Sequence, residues 1–100
     1  MLLAIKDQKL ITEQPTEFDM MALNLISALK NIGEDFFKGC IKEVAIDDNY
    51  FFIQQDGNIT FAYIKKFDNN ENFEQFKQKS ILEKNREIEN FYNQVSNEIL

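Results

Sequence analysis

Apolar positions in the first third of the chain follow two different periods. Leu2–Lys6 and Lys9–Glu13 are short apolar runs parted by Asp7-Gln8, which predicts a hairpin of two modest strands, with Gln14-Pro15 stopping the second. Thr16 then stands at an N-cap position, with Glu17 and Asp19 in the first turn, where negative charge suits the helix dipole. Phe18, Ala22, Leu25, Leu29, Ile32 and Phe36 follow at alternating steps of four and three, one face of an α-helix over Glu17–Lys38. Met21, Ile26 and Phe37 widen the stripe, and Lys38-Gly39 supplies a cationic last turn and a glycine stop.

The period then changes to two. Ile41–Asp47, Tyr50–Gln55 and Asn58–Phe67 read as strands, joined by turns at Asp48-Asn49 and Asp56-Gly57. The second is a hairpin signal for a type I′ turn, which needs positive φ at both central residues. Together they predict an antiparallel meander. Both faces of these strands are apolar: Tyr50 and Phe52 oppose Phe51 and Ile53, while Ile59, Phe61 and Tyr63 oppose Ala62 and Ile64. A sheet wetted on one side would alternate apolar with polar, so this one needs a helical layer on each face.

The second layer is expected from a helical region that opens at the cap cluster Asp68-Asn69-Asn70 and runs to the C-terminus. Its apolar positions are Phe73, Phe76, Ile81, Ile88, Phe91, Tyr92, Val95 and Ile99. Lys77 and Lys84 fall on the same face, and the middle is thin in apolar residues. That predicts either a break near Ser80 or a weak central grip on the sheet. The fold class expected is an α/β (α+β) three-layer α/β/α sandwich in one domain over residues 1–100. Its sheet is five-stranded and antiparallel, with elements in the order β-β-α-β-β-β-α(-α).

Composition narrows the function. A chain of 100 residues with 44% apolar and 13% aromatic content supports one core without metal or disulfide staples. The net charge of −6 gives no basic stripe with which to displace counterions from nucleic acid. Lys77, Lys79, Lys84 and Arg86 are interleaved with Glu74, Glu83, Glu87 and Glu89, as on a solvated helix face. Anionic membrane surfaces are disfavoured on the same ground. Cys40 is the one cysteine, the run Met1–Ile5 is too short for a signal peptide, and no stretch is long enough to span a membrane. These features point to the cytoplasm.

Catalytic chemistry has little to draw on. Histidine is absent, which removes the commonest general base, proton shuttle and metal ligand at neutral pH. Cys40 is expected as a small buried hydrophobe. Asp47-Asp48-Asn49 lacks the further oxygen ligands of a calcium loop and reads as a turn. Glu34 and Asp35 point about 100° apart on a helix and do not converge. No glycine-rich loop precedes a helix, so no phosphate cradle is expected. No enzyme activity, metal or cofactor is expected. Gly33, on the apolar side of its helix, implies close packing against the sheet or a second subunit. Met20 and Leu23 fall off the main stripe, and Phe76 and Phe91 flank the stripe of the last helix. A contiguous patch of such surplus apolar residues would mark an interface.

The order of elements resembles the longin domain, a profilin-like α/β/α sandwich of vesicle-trafficking proteins and their archaeal relatives. The likeness rests on the helix stretch Leu25-Ile26-Ser27-Ala28-Leu29-Lys30-Asn31-Ile32-Gly33-Glu34, the strand Ile41–Asp47, and the hairpin Tyr50–Ile64. The related roadblock fold normally places a helix before the first strand, and Met1-Leu2-Leu3 leaves no room for one. The resemblance implies a non-catalytic scaffold that binds a small Ras-like GTPase, or pairs with a related longin or roadblock domain as a homo- or heterodimer. Carried onto this chain, it implies contacts through the edge Ile41–Asp47, guarded by Lys42, Glu43 and Asp47, and through the helix Glu17–Lys38, where Met20 and Leu23 are the surplus residues. A roadblock-type homodimeric GTPase regulator, a small-ligand sensor with a Phe-lined pocket between sheet and helix, and a profilin-like actin binder are the rival readings.

Overall fold

Two-residue turns set the register of three of the four strand pairings. The computed structural model describes residues 1–11 and 15–99, and contains β1 (Leu2–Lys6), β2 (Lys9–Leu10), α1 (Glu17–Phe37), β3 (Glu43–Ile46), β4 (Asn49–Asp56), β5 (Ile59–Lys66) and α2 (Phe73–Ile99). The turn Asp7-Gln8 joins β1 to β2 with positive φ at both residues, 53° and 63°. The next two turns lie one residue away from their expected places. Ile46 pairs with Asn49 around Asp47-Asp48, and Asp56 pairs with Ile59 around Gly57-Asn58. In each, only the first turn residue has positive φ, Asp47 at 57° and Gly57 at 60°. The Gly57 turn is thus not of the type I′ form, and glycine occupies the one position that demands it.

The fourth pairing is the long-range one. β1 lies antiparallel to β5, from Leu2 opposite Tyr63 to Lys6 opposite Ile59, and gives an all-antiparallel sheet in the order β2-β1-β5-β4-β3. The N-terminal ammonium extends that ladder by donating to the Ile64 carbonyl at 3.0 Å. β2 is shorter than the expected Lys9–Glu13: pairing stops at Leu10, Ile11 still donates its N–H to the Ala4 carbonyl at 2.8 Å, and the remainder, with Gln14 of the expected stop, lies outside the described residues.

Both faces of the sheet are covered. Leu3, Ile5, Phe51, Ala62 and Ile64 pack beneath α1 against Ala22, Leu23 and Ile26. On the opposite face Ala4, Ile59 and Phe61 meet Ile88 of α2, and Phe52 and Tyr63 meet Phe76. The two-sided apolar strands therefore have the helical layers they require, one from each helix. β5, buried along nearly all its length, is the spine shared by both cores.

The caps are made by local hydrogen bonds. Thr16 and Asp19 form a reciprocal capping box at the start of α1, Thr16 Oγ1 accepting from the Asp19 N–H at 3.1 Å and Asp19 Oδ2 from the Thr16 N–H at 3.0 Å. At the other end Lys38, not Gly39, takes the left-handed conformation, with φ 54°. Its N–H turns back to the Gly33 carbonyl, as does that of Gly39 at 3.0 Å. α2 starts later than expected. Asp68-Asn69-Asn70 forms a separate turn, with Asp68 Oδ1 accepting from Asn70 N–H, and Asn72 is the cap, accepting from Gln75 N–H at 3.1 Å. α2 then runs unbroken past Ser80.

Candidate functional site

α1 carries more apolar surface than the sheet can cover. Its buried residues are Ala22, Leu23, Ile26 and Gly33. The expected stripe was Phe18, Ala22, Leu25, Leu29, Ile32 and Phe36, so the helix is turned by about one residue, ~100°, from the orientation its strongest periodicity suggests. The reason lies at Gly33 and Ala22. Their missing or minimal side chains let the helix backbone approach, and a methyl added at Gly33 would stand 2.8 Å from the Gly39 carbonyl oxygen and 3.3 Å from Ile41 Cγ1. The close approach that Gly33 implies is thus to the segment following its own helix.

The consequence is an outward apolar face. Phe18, Met21, Ile32 and Phe36 project from one side of α1, flanked by half-buried Leu25 and Leu29. Met21 and Phe36 are 64% and 77% exposed, and Phe37 beyond them is 78% exposed. Counting the buried stripe, α1 is apolar over roughly 200° of its circumference, about twice what a surface helix needs to hold its core.

The expected contact residues are scattered. Leu23 is 5% exposed and belongs to the core, a correction to its reading as surplus surface. Met20 is exposed, but its place on the helical wheel is some 130° from the outward face. Phe76 is buried in the second core, and Phe91 is half-buried against Phe61, so neither is surplus. Lys42 precedes β3 and accepts from the Ile53 N–H through its carbonyl at 2.8 Å. Glu43 turns toward α2 and pairs with Lys77 at 3.3 Å. Asp47 occupies the turn at the other end of β3. Cys40 is exposed and not a core residue; it lies in the connection that swings past Gly33 of α1 before β3 begins.

That swing leaves a second feature. β3 covers only the first half of β4, and beyond it a slot of about 560 Å³ opens beside residues 53–56. Ile26 and Lys30 of α1 overhang one side of the slot, while Ile81 and Lys84 of α2 flank the other. Cys40, Ile41 and Lys42 close one end. A more polar hollow of about 390 Å³ continues from it toward the turns Asp7-Gln8 and Gly57-Asn58.

The polar network between the layers serves a different purpose. Glu83 accepts from the Tyr63 hydroxyl at 2.7 Å and from Lys65 Nζ at 2.8 Å through both carboxylate oxygens. Hydrogen bonds from Lys65 first, and then from Tyr63, hold the Glu83 carboxyl below the usual range, while burial and the bond to Glu83 push the Tyr63 phenol up to about 12. A carboxylate so thoroughly satisfied is a poor proton acceptor near neutrality; the network braces α2 against the sheet. The charge pattern alone puts Glu83 on a solvated helix face, and only the packing of the two layers brings these three groups together. Among the described residues, no group of three or more acidic or cysteine side chains comes together as a metal site. No described helix is long and apolar enough to cross a membrane.

No family model matches the chain, and no match is found among curated proteins or solved structures.

Proposed function

We propose that this chain is a non-catalytic interaction module of the longin type, binding a small Ras-like GTPase or a related longin or roadblock domain. The single observation that carries the reading is the outward face of α1, where Phe18, Met21, Ile32 and Phe36 stand in solvent on a helix whose inner face is already filled. Contiguous exposed apolar surface of this kind marks a protein contact more often than it is left wet. The strand order and the placing of one helix on each face add support at the level of fold, which alone does not define function.

A roadblock-type homodimer would use the same face, with a second copy as the partner. The ligand-sensor reading draws less support, because it asks for a Phe-lined pocket between sheet and helix. Phe52, Phe67, Phe73 and Phe76 instead pack on one another and on Tyr50. The test is co-elution of the purified chain with small GTPases loaded with GDP or with a non-hydrolysable GTP analogue. Retention in one nucleotide state is expected; no complex in either state, together with a monomeric chain, would refute the proposal.

A further inference from the structure

We infer that the slot beside the uncovered half of β4 receives an extended peptide from another protein, added to the sheet as a short strand, apolar at its centre and acidic at its flanks. This site is separate from the outward face of α1 and stands or falls independently of the function proposed above.

The argument begins with the backbone. Alternate residues of β4 turn their main-chain groups toward β3: Asn49 and Phe51 do so within the ladder, and Ile53 does so through its bond to the Lys42 carbonyl at 2.8 Å. Continuing the alternation, the Ile53 carbonyl and both main-chain groups of Gln55 face the slot. Among the described residues nothing pairs with them. An open edge of this kind is a template for another strand, and a stretch of four residues offers roughly 13 Å of it. A small molecule needs no such directional row of donors and acceptors. A strand does.

The walls select the side chains. The slot lies in the plane of the sheet and is flanked from both layers, so an inserted strand turns its residues alternately toward α1 and toward α2. On the α1 side they meet Ile26 and Ile53, and on the α2 side Phe52 and Ile81. Apolar side chains therefore fit both faces of the occupant, as they do along β4 and β5 themselves.

Charge decides between a foreign strand and a second copy of this chain. Lys30, Lys42 and Lys84 ring the slot, and its one acidic residue, Glu43, is committed to Lys77. Lys84 is half-buried, forms no ion pair among the described residues, and is held below the usual lysine range by burial. This concentration of cations stands out on a chain of net charge −6. Two copies meeting edge to edge about a twofold axis would set three lysines against three. An acidic-flanked peptide brings the complementary charge.

The experiment titrates the intact chain with a short fluorescein-labelled peptide, a valine–isoleucine core between pairs of glutamates, read by anisotropy and by hydrogen exchange of the Gln55 amide. Exposed Cys40, at the end of the slot, supplies a third readout through its alkylation rate. Saturable binding is expected, with the Gln55 amide and the Cys40 thiol both protected. Lys84→Gln should weaken it roughly tenfold, while Lys66→Gln, outside the slot, should leave it unchanged. A peptide N-methylated at the edge-facing residues should not bind. The inference is overturned if that N-methylated peptide binds as well as its parent, or if a lysine-flanked peptide binds as tightly. It is also overturned if octanoate displaces the probe without protecting Gln55, the mark of a simple anion pocket, or if the chain alone protects Gln55 as its concentration rises, the mark of self-pairing.

Discussion

At the scale of single residues, three side chains tie α2 to the sheet by hydrogen bonds. Glu83 receives hydrogen bonds from Lys65 and Tyr63 across the layer boundary, with Lys65 and Glu83 side chains only 26% and 17% exposed. Glu83→Gln should lower stability by about 1.5–3 kcal/mol at neutral pH, the range for hydrogen bonds to a charged group. The pH dependence has a definite sign. A carboxylate whose folded pKa is depressed contributes above its unfolded pKa of about 4.3, and that contribution is lost as pH falls through the folded value. Chemical denaturation should therefore separate wild type from Glu83→Gln at neutral pH and converge in acid. Tyr63 works in the opposite direction: its phenol is raised to about 12, so its share of stability is lost as pH climbs from about 10 toward that value. An ultraviolet titration that ionised all the tyrosines together near pH 10 would contradict this. Gly33 and Lys38 give a second pair of outcomes. Gly33→Ala drives a methyl to 2.8 Å from a backbone oxygen and should cost about 1–3 kcal/mol. Lys38→Gly relieves a side chain held at φ 54° and should raise the melting temperature by the equivalent of up to about 1 kcal/mol. Gly33 was legible as a residue needing close contact, because glycine is costly inside a helix. The Tyr63–Glu83 pair was not, since nothing local links residues on different layers.

At the scale of elements, spacing reveals that a helix exists more readily than which way it faces. The positions of α1 were clear from its periodicity and from Thr16, and its orientation was not. Its apolar residues cover so wide an arc that the best stripe, Phe18 to Phe36, competes with a neighbouring one through Leu23 and Ile26. The small residues Ala22 and Gly33 lie on the second, which is the buried one, with Gly33 tight against Gly39 and Ile41 of the segment that follows the helix. α2 presents the converse. Its apolar-poor middle suggested a break or a weak grip, yet it runs unbroken, since Ser80 is small enough to lie fully buried and Glu83 replaces apolar contact with hydrogen bonds. Among the described residues the Ser80 hydroxyl has no hydrogen-bond partner. Ser80→Ala should therefore stabilise the chain by roughly 1 kcal/mol, by removing a buried unsatisfied group and raising helix propensity. Ser80→Leu should destabilise it by overpacking. Equilibrium unfolding of both variants checks the pair, and a loss of stability in Ser80→Ala would mean that the hydroxyl has a role in holding α2. The turns show a milder limit: aspartate, asparagine and glycine mark where a hairpin lies, while cross-strand pairing fixes which two residues form the loop.

At the scale of the whole molecule, the two-sided apolar strands forced a covered sheet, and that inference needed only the alternation of residues in β4 and β5. The contact surface was harder to read. By spacing alone Leu23 reads as surface and is core, while Phe18 and Phe36 read as core and are surface; both follow from the same turn of α1. The place of β3 at the end of a meander is legible, but the slot beyond it depends on where pairing ends, which composition does not reveal. A surface role for the outer face of α1 predicts that polar replacements there leave folding intact. Met21→Ser, Ile32→Ser and Phe36→Ser together should change stability by little, within about 1 kcal/mol, since exposed positions rarely matter to it. The most direct measurement is the affinity of this triple variant, beside wild type, for the small GTPase or paired domain that wild type retains. An unchanged melting temperature with binding weakened at least roughly tenfold is the expected result. Undiminished binding by a folded variant, or a variant that unfolds because the face was structural all along, would contradict the account.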